Sequence, residues 1–206
     1  METPGRRERK KAETRQRISD HGSVLFYERG FDNVTIGEIA EAADVSKVTV
    51  FNYFPRKEDI FFDRVPELIA LLTATVRDRE PGTPVLEAIR RMLIGHAESG
   101  HPLGGVDERY AHFWRVVADS PALRARAREI AEEIETVLAE LIAESGDDLP
   151  APLAAAMLVG GYRAAYLRTA RRLMAGQGAA EVAKDHVADV NAAFDALTRA
   201  FAVERG

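Results

Sequence analysis

Two very short helices in direct succession constrain this chain more than any other feature of its 206 residues. The stretch TIGEIAEAADVSKVTVFNYFPRKEDIF begins at Thr35 and opens on a capping box. The Thr35 hydroxyl takes one orphan amide of a helix start, and Glu38 reaches back to another. That helix has room to run only to Ala43. Ala-Asp-Val then turns the chain, Ser46 caps a second helix over residues 47–54, and Pro55 stops it. Helices of about two turns are not stable alone, so both must pack on something. Ile36, Ile39 and Ala40, with Val45 and Val50, supply the apolar contact, and the small Ala40 and Ala43 permit a close crossing. The preceding helix, residues 8–29 stopped by Gly30, is the surface they need. This is the layout of a helix-turn-helix, whose second short helix enters the major groove of DNA.

That layout gives the polar residues of SKVTVFNYF a use. Lys47, Val48 and Asn52 stand where side chains reach base edges. Lysine donates to guanine, asparagine pairs with adenine, and valine meets a thymine methyl. Thr35, Thr49, Tyr53 and Lys57 read as phosphate contacts, with Ser46 on the same face. Phe54 reads as core beneath the first helix, while Phe51 divides evenly between core and surface. The charge agrees. The net charge is −5, yet residues 1–17 carry seven basic groups against three acidic, and residues 46–57 three against none. Local basic patches in an acidic chain suit an anionic partner at the N-terminal end.

No strand periodicity appears, and the remaining segments are helical in pattern. A helix over 57–79 contains Pro66 and is expected to kink or break there. After the linker at 80–84, Thr83 caps a helix with Pro84 at its first position, running to about residue 99. Further helices are expected over 106–119 and from Ser120-Pro121 onward. Two more follow, one with Leu153, Met157, Gly160, Ala164 and Leu167, the last with Ala183, Val187, Val190, Phe194, Leu197 and Phe201, at alternating spacings of three and four. The expectation is an all-α protein of about nine helices: a three-helix DNA-binding domain at 1–56 and a helical ligand-binding and dimerisation domain at 57–206. The chain has no cysteine, which excludes disulfides and thiolate metal sites. It has no apolar run of membrane-spanning length, and no apolar stretch of a secretory signal near its start. A cytoplasmic location is the default.

The stretch FDNVTIGEIAEAADVSKVTVFNYFPRKEDIF closely resembles the N-terminal domain of tetracycline-repressor-type (TetR) transcriptional regulators. The resemblance rests on Gly30, Phe31, Thr35, Ile39, Ala40, Ala43, Val45, Ser46, Thr49, Tyr53, Phe54, Pro55, Lys57, Glu58, Ile60 and Phe61, and covers residues 12–62. Three positions depart from the pattern. Val48 stands where many relatives have glycine, Arg56 where a capping Ser, Asp or Asn is common, and Gly22 where alanine is common. A mid-helix glycine costs about 1 kcal/mol of propensity. The resemblance implies a homodimeric repressor on a palindromic DNA operator, released by a small-molecule effector. It also implies that the helices from residue 57 to about 141 enclose the effector. Met92, His96, Tyr110, Phe113, Trp114, Tyr162 and Tyr166 are candidate lining residues, with Arg115 as an anion-binding candidate. The last two helices would pair with a second subunit through Met157, Gly160, Gly161, Ala164, Val187, Val190, Phe194 and Leu197. The small residues and the apolar stripe support this pairing independently.

The same chain offers residues of other chemistry. His96, His101 and His112, with Asp107 and Glu108, fall within seventeen residues. Their spacing matches no metal-binding pattern. No nucleophile elbow or phosphate-cradling glycine loop occurs. No enzyme activity, cofactor, metal or membrane partner is therefore expected. A regulator that dimerises and binds DNA without any ligand is the remaining alternative.

Overall fold

The structure is a computed structural model that describes residues 5–202. Among these are ten α-helices and one 3-10 turn, and no strand. The chain forms two compact units. Of the described residues, one unit comprises those up to Asp63 together with Val116–Arg126, the other Arg64–Arg115 and those from Ala127 on.

The first unit holds α1 (Arg6–Arg29), α2 (Ile36–Ala42), α3 (Lys47–Tyr53) and α4 (Lys57–Phe61). Its core is Ile18 and Phe26 of α1, Phe31, Val34, Ile39, Ala40, Val50, Phe54 and Ile60, all buried. The rings of Phe26, Phe31 and Phe61 meet at 5.0–6.1 Å between centroids. Gly22 has a packing reason: a Cβ there would stand 2.6 Å from Ile60 Cγ2, so glycine lets α4 approach α1. Arginines of α1 lock the other elements. Arg15 donates to the carbonyls of Tyr53 and Asp63, both at 3.1 Å, and lies 4.1 Å over the Phe54 ring. Arg17 donates to the Ala43 carbonyl at 2.9 Å. The segment Val116–Arg126 adds buried Val116, Val117 and Leu123. It is pinned by Ser120 Oγ donating to Asp32 and by the Arg126–Asp59 ion pair, both at 2.9 Å.

The second unit holds α5 (Val65–Arg77), α6 (Val85–Glu98), the 3-10 turn Pro102–Gly104, most of α7 (Arg109–Asp119) and of α8 (Pro121–Glu144), α9 (Ala151–Met174) and α10 (Ala179–Ala202). Leu72, Val76, Ile89, Leu138, Ile142, Ala154, Leu158, Val190, Phe194 and Leu197 form one continuous core. α10 packs on α9 and on α6.

Several expectations are corrected. The helix expected over 57–79 breaks in two near Pro66, one of the two outcomes expected there, and the proline lies in the first turn of α5, where its missing N–H costs nothing. α1 begins at Arg6 rather than residue 8, and α7 at Arg109 rather than 106. Pro84 is the N-cap residue of α6, and Thr83 does not cap it. The Val85 amide is taken by the Asp147 carboxylate at 2.6 Å, a partner sixty-two residues away. The stripe on α10 faces inward: Val190, Phe194 and Leu197 are at most 3% exposed within the single chain. Side chains consumed by their own core cannot also meet a second subunit. Among the described residues no helix is long and apolar enough to cross a membrane.

Candidate functional site

The helix-turn-helix geometry is built from its caps. Thr35 Oγ1 accepts from the Glu38 amide at 3.3 Å and donates to the Glu38 carboxylate at 2.8 Å, which also accepts from the Thr35 amide at 2.8 Å. Arg29 pairs with the same carboxylate at 2.7 Å. These partners, the backbone bond first, hold Glu38 at a pKa of about 2. On α3, Ser46 Oγ accepts from the Thr49 amide at 3.0 Å and shares a hydrogen with Thr49 Oγ1 at 2.8 Å. One hydroxyl hydrogen of that pair remains available to a phosphate.

With Val50 and Phe54 buried, α3 turns Lys47, Val48, Phe51 and Asn52 outward. Val48 is 69% and Phe51 51% exposed, unusual for apolar side chains that a neighbouring core could have taken. The stem of Lys47 lies against Gly37 of α2, where a Cβ would stand 2.8 Å from Lys47 Cε. Glycine thus steers the lysine along the outer face. Tyr53 is half-buried at the end of α3. Two candidates have more immediate structural employment. Thr35 commits its hydroxyl and its amide hydrogen to the capping box. The Lys57 ammonium donates to the carbonyls of Phe31 and Val34, both at 2.9 Å, over the Phe31 ring at 4.1 Å. One of its three hydrogens is left for DNA.

In the second unit the structure gathers five of the eight effector candidates. Tyr162 and Tyr166 stack at 5.7 Å and 20°. Trp114 meets Tyr166 edge-on at 5.1 Å, and Phe113 and Tyr110 continue the row at 5.3 and 6.1 Å. The 3-10 turn closes on this group. Gly105, with φ 67°, leaves no room for a Cβ beside the Tyr166 hydroxyl, and Tyr110 donates to the Pro102 carbonyl at 2.5 Å. The other three candidates do other things. Met92 packs on the main core, His96 bonds the Met92 carbonyl at 2.8 Å and meets the His101 ring, and exposed Arg115 donates to the Met174 carbonyl at 3.1 Å.

Sequence reasoning missed His186 of α10, which is 1% exposed and lies 5.9 Å from Tyr162 and 6.3 Å from Tyr166. Its Nδ1 bonds Thr169 at 2.9 Å, and burial lowers its pKa. Its Nε2 and the Trp114 Nε1 are buried without a hydrogen-bond partner. Burial pushes Tyr162 up to about 12 and Tyr166 higher still. The cluster is thus neutral, aromatic and short of polar partners. A separate open groove of about 980 Å³ is lined by Arg79, Leu86, Arg90, Asp147, Phe194 and Phe201 among others. Its arginines are already engaged, Arg79 by three carbonyls and Arg90 by Asn191 and Asp195. Among the described residues no group of three or more His, Asp or Glu is placed to hold a metal ion.

Residues 18–63, the span of α1 to α4 just described, match the family model for bacterial regulatory proteins of the tetR family. The chain belongs to the TetR family. Residues 18–63 are thus a helix-turn-helix domain of the tetR type. The chain is 32% identical over 151 residues to the HTH-type transcriptional regulator TcmR of Streptomyces glaucescens. That alignment covers 71% of this chain and 66% of TcmR, just under two thirds of the relative's length. The Thermus thermophilus TetR-family repressor FadR, solved with lauroyl-CoA, is 28% identical with a TM-score of 0.51, covering 85% of this chain and 92% of FadR. NalD of Pseudomonas aeruginosa shares the fold, with a TM-score of 0.55 at 16% identity over 88% of this chain and 96% of its own.

Proposed function

We propose that this TetR-family chain binds a palindromic double-stranded DNA operator as a homodimer, acts as a repressor and is released by a small-molecule effector. The helix-turn-helix domain, extended past residue 56 through α4 as the first compact unit is, carries the DNA contacts, and the second unit carries the effector site and dimer contact. The observation that carries the reading is the outer face of α3. Lys47, Val48, Phe51 and Asn52 project from a helix that is capped at Ser46 and anchored at Val50. A rigid helix with donors and an exposed apolar pair matches what base edges in the major groove require. Ser46, Thr49, Tyr53 and Lys57 flank it as phosphate contacts, and Thr35 contributes chiefly through its cap. A DNA partner supports a cytoplasmic location.

The effector reading rests on the orphaned polar atoms of the aromatic cluster. A buried N–H without a partner costs about 1–3 kcal/mol, which a ligand acceptor relieves. Trp114 and His186 flank Tyr166, so an uncharged, largely aromatic molecule with acceptors along its edge fits the cluster. The dimer contact is the outer face of α9, where Leu153, Met157 and Leu167 are exposed beside Gly160 and Ala164.

Enrichment of randomised duplexes on the purified protein tests the DNA reading. The expected product is a two-fold motif with half-sites about 34–36 Å apart. Asn52→Ala should relax one position in each half-site by about 1–3 kcal/mol. Recovery of no preferred sequence by the wild type would overturn it.

A further inference from the structure

The first two turns of α1 have no use in the fold. From Gly5 to Glu13 every residue is exposed, so this part of the helix projects clear of its unit. It reads GRRERKKAE, with five cations at Arg6, Arg7, Arg9, Lys10 and Lys11. The acids do little to offset them. Glu8 accepts from the Gly5 amide at 3.3 Å, and Glu13 meets Arg9 at 3.8 Å between well-exposed groups. This charge is badly placed for a helix by itself. Cations at an N-terminus oppose the helix dipole. Arg6 faces Lys10, and Arg7 faces Lys11, as like charges four residues apart. A helix polar all round, with repulsion built into its first turns, calls for an anion outside the chain.

Its location says which anion. Arg15 and Arg17 tie α1 to the end of α3 and to the turn before it, through the carbonyls of Tyr53 and Ala43. The basic turns begin four residues before Arg15 and extend about 6–14 Å along the helix axis from there. They therefore run on from the reading helix as a continuation of its surface. We propose that the N-terminal turns of α1 form a second DNA-binding element, in which Arg6, Arg7, Lys10 and Lys11 grip the phosphate backbone flanking the bases read by α3. The inference rests on the operator-binding reading given above. The element adds affinity without adding sequence preference, because phosphates carry no base information. Wrapping it in phosphate also neutralises the repulsion that frays it, so these turns become better ordered on DNA than off it.

The test compares the wild type with the quadruple variant Arg6→Gln, Arg7→Gln, Lys10→Gln and Lys11→Gln. The probe is the duplex that the wild type enriches from a random pool, with long and with trimmed flanks. Both proteins should melt alike and enrich the same motif. On the long duplex the variant should bind about tenfold more weakly at low salt, with a slope of log affinity against log salt shallower by about two. On the trimmed duplex the difference should vanish. Hydrogen exchange should show amides 7–12 of the wild type protected by the long duplex only. Equal affinity and equal salt slope on the long duplex would overturn the inference while leaving operator binding intact. A wild type that enriches nothing would overturn both. A variant that enriches a different motif would show that these side chains read bases, and would overturn the phosphate role.

Discussion

Glu38 shows how much one exposed side chain can organise. Its carboxylate is held at a pKa of about 2 by the Thr35 amide first, then the Thr35 hydroxyl and Arg29. The ordinary value of 4.5 applies in the unfolded chain. Unfolding therefore takes up a proton between those values, so the stability from this cap is complete above about pH 4.5 and is lost as pH falls toward 2. Glu38→Gln should be less stable than the wild type at neutral pH, and the gap in urea midpoint should close on acidification through that window. Gly22 makes the complementary point about volume. The sequence alone reads it as a cost in helix propensity. A methyl there would strike Ile60 Cγ2. Gly22→Ala should destabilise the first unit by about 1–3 kcal/mol in chemical denaturation, the usual cost of overpacking.

At the scale of elements, what could be read from the sequence divides by the range of the interaction. The caps at Thr35 and Ser46, the stop at Pro55 and the burial of Val50 and Phe54 are local events, written within a few residues of where they act. The start of α6 was misread because its cap comes from Asp147, and no local pattern announces a partner so far along the chain. The α10 stripe was legible as a stripe. Its direction was not, since an apolar face at helical spacing suits its own core as well as a second subunit. Within the single chain Phe194 is 2% exposed, whereas Leu153 on α9 is 54% exposed. The two faces should respond differently to a charge. Phe194→Asp places a carboxylate in the core and should unfold the second unit, at a cost of several kcal/mol. Met157→Asp on the outer face of α9 should leave each chain helical by circular dichroism. It should shift sedimentation from dimer to monomer at micromolar concentration, and a variant that remains fully dimeric would move the dimer contact off α9.

For the whole molecule, the chemistry of the proposed effector site was only half legible. Tyr110, Phe113, Trp114, Tyr162 and Tyr166 are conspicuous in the sequence, but His186 and its Thr169 partner join them only because α9 and α10 pack side by side. The single tryptophan makes the cluster its own reporter, because Trp114 Nε1 is among its buried atoms without a hydrogen-bond partner. A compound whose acceptor takes that N–H should shift Trp114 emission, and a screen of uncharged aromatic molecules can be read this way. Trp114→Phe keeps a ring in place and removes the donor, so it should weaken such a compound by about 0.5–1.5 kcal/mol if the indole N–H is what holds it. The same compound must then obey linkage. If it binds the DNA-free dimer more tightly than the operator-bound one by some factor, it weakens operator binding by that same factor. A coupling of about 1–3 kcal/mol would appear as a loss of about 5–150-fold in operator affinity at saturation. Titrating the compound into free and operator-bound protein and reading Trp114 in both should return the factor found from the DNA side. A compound that shifts Trp114 emission equally well in both states binds without regulating, and would show that the cluster is a binding site but not a switch.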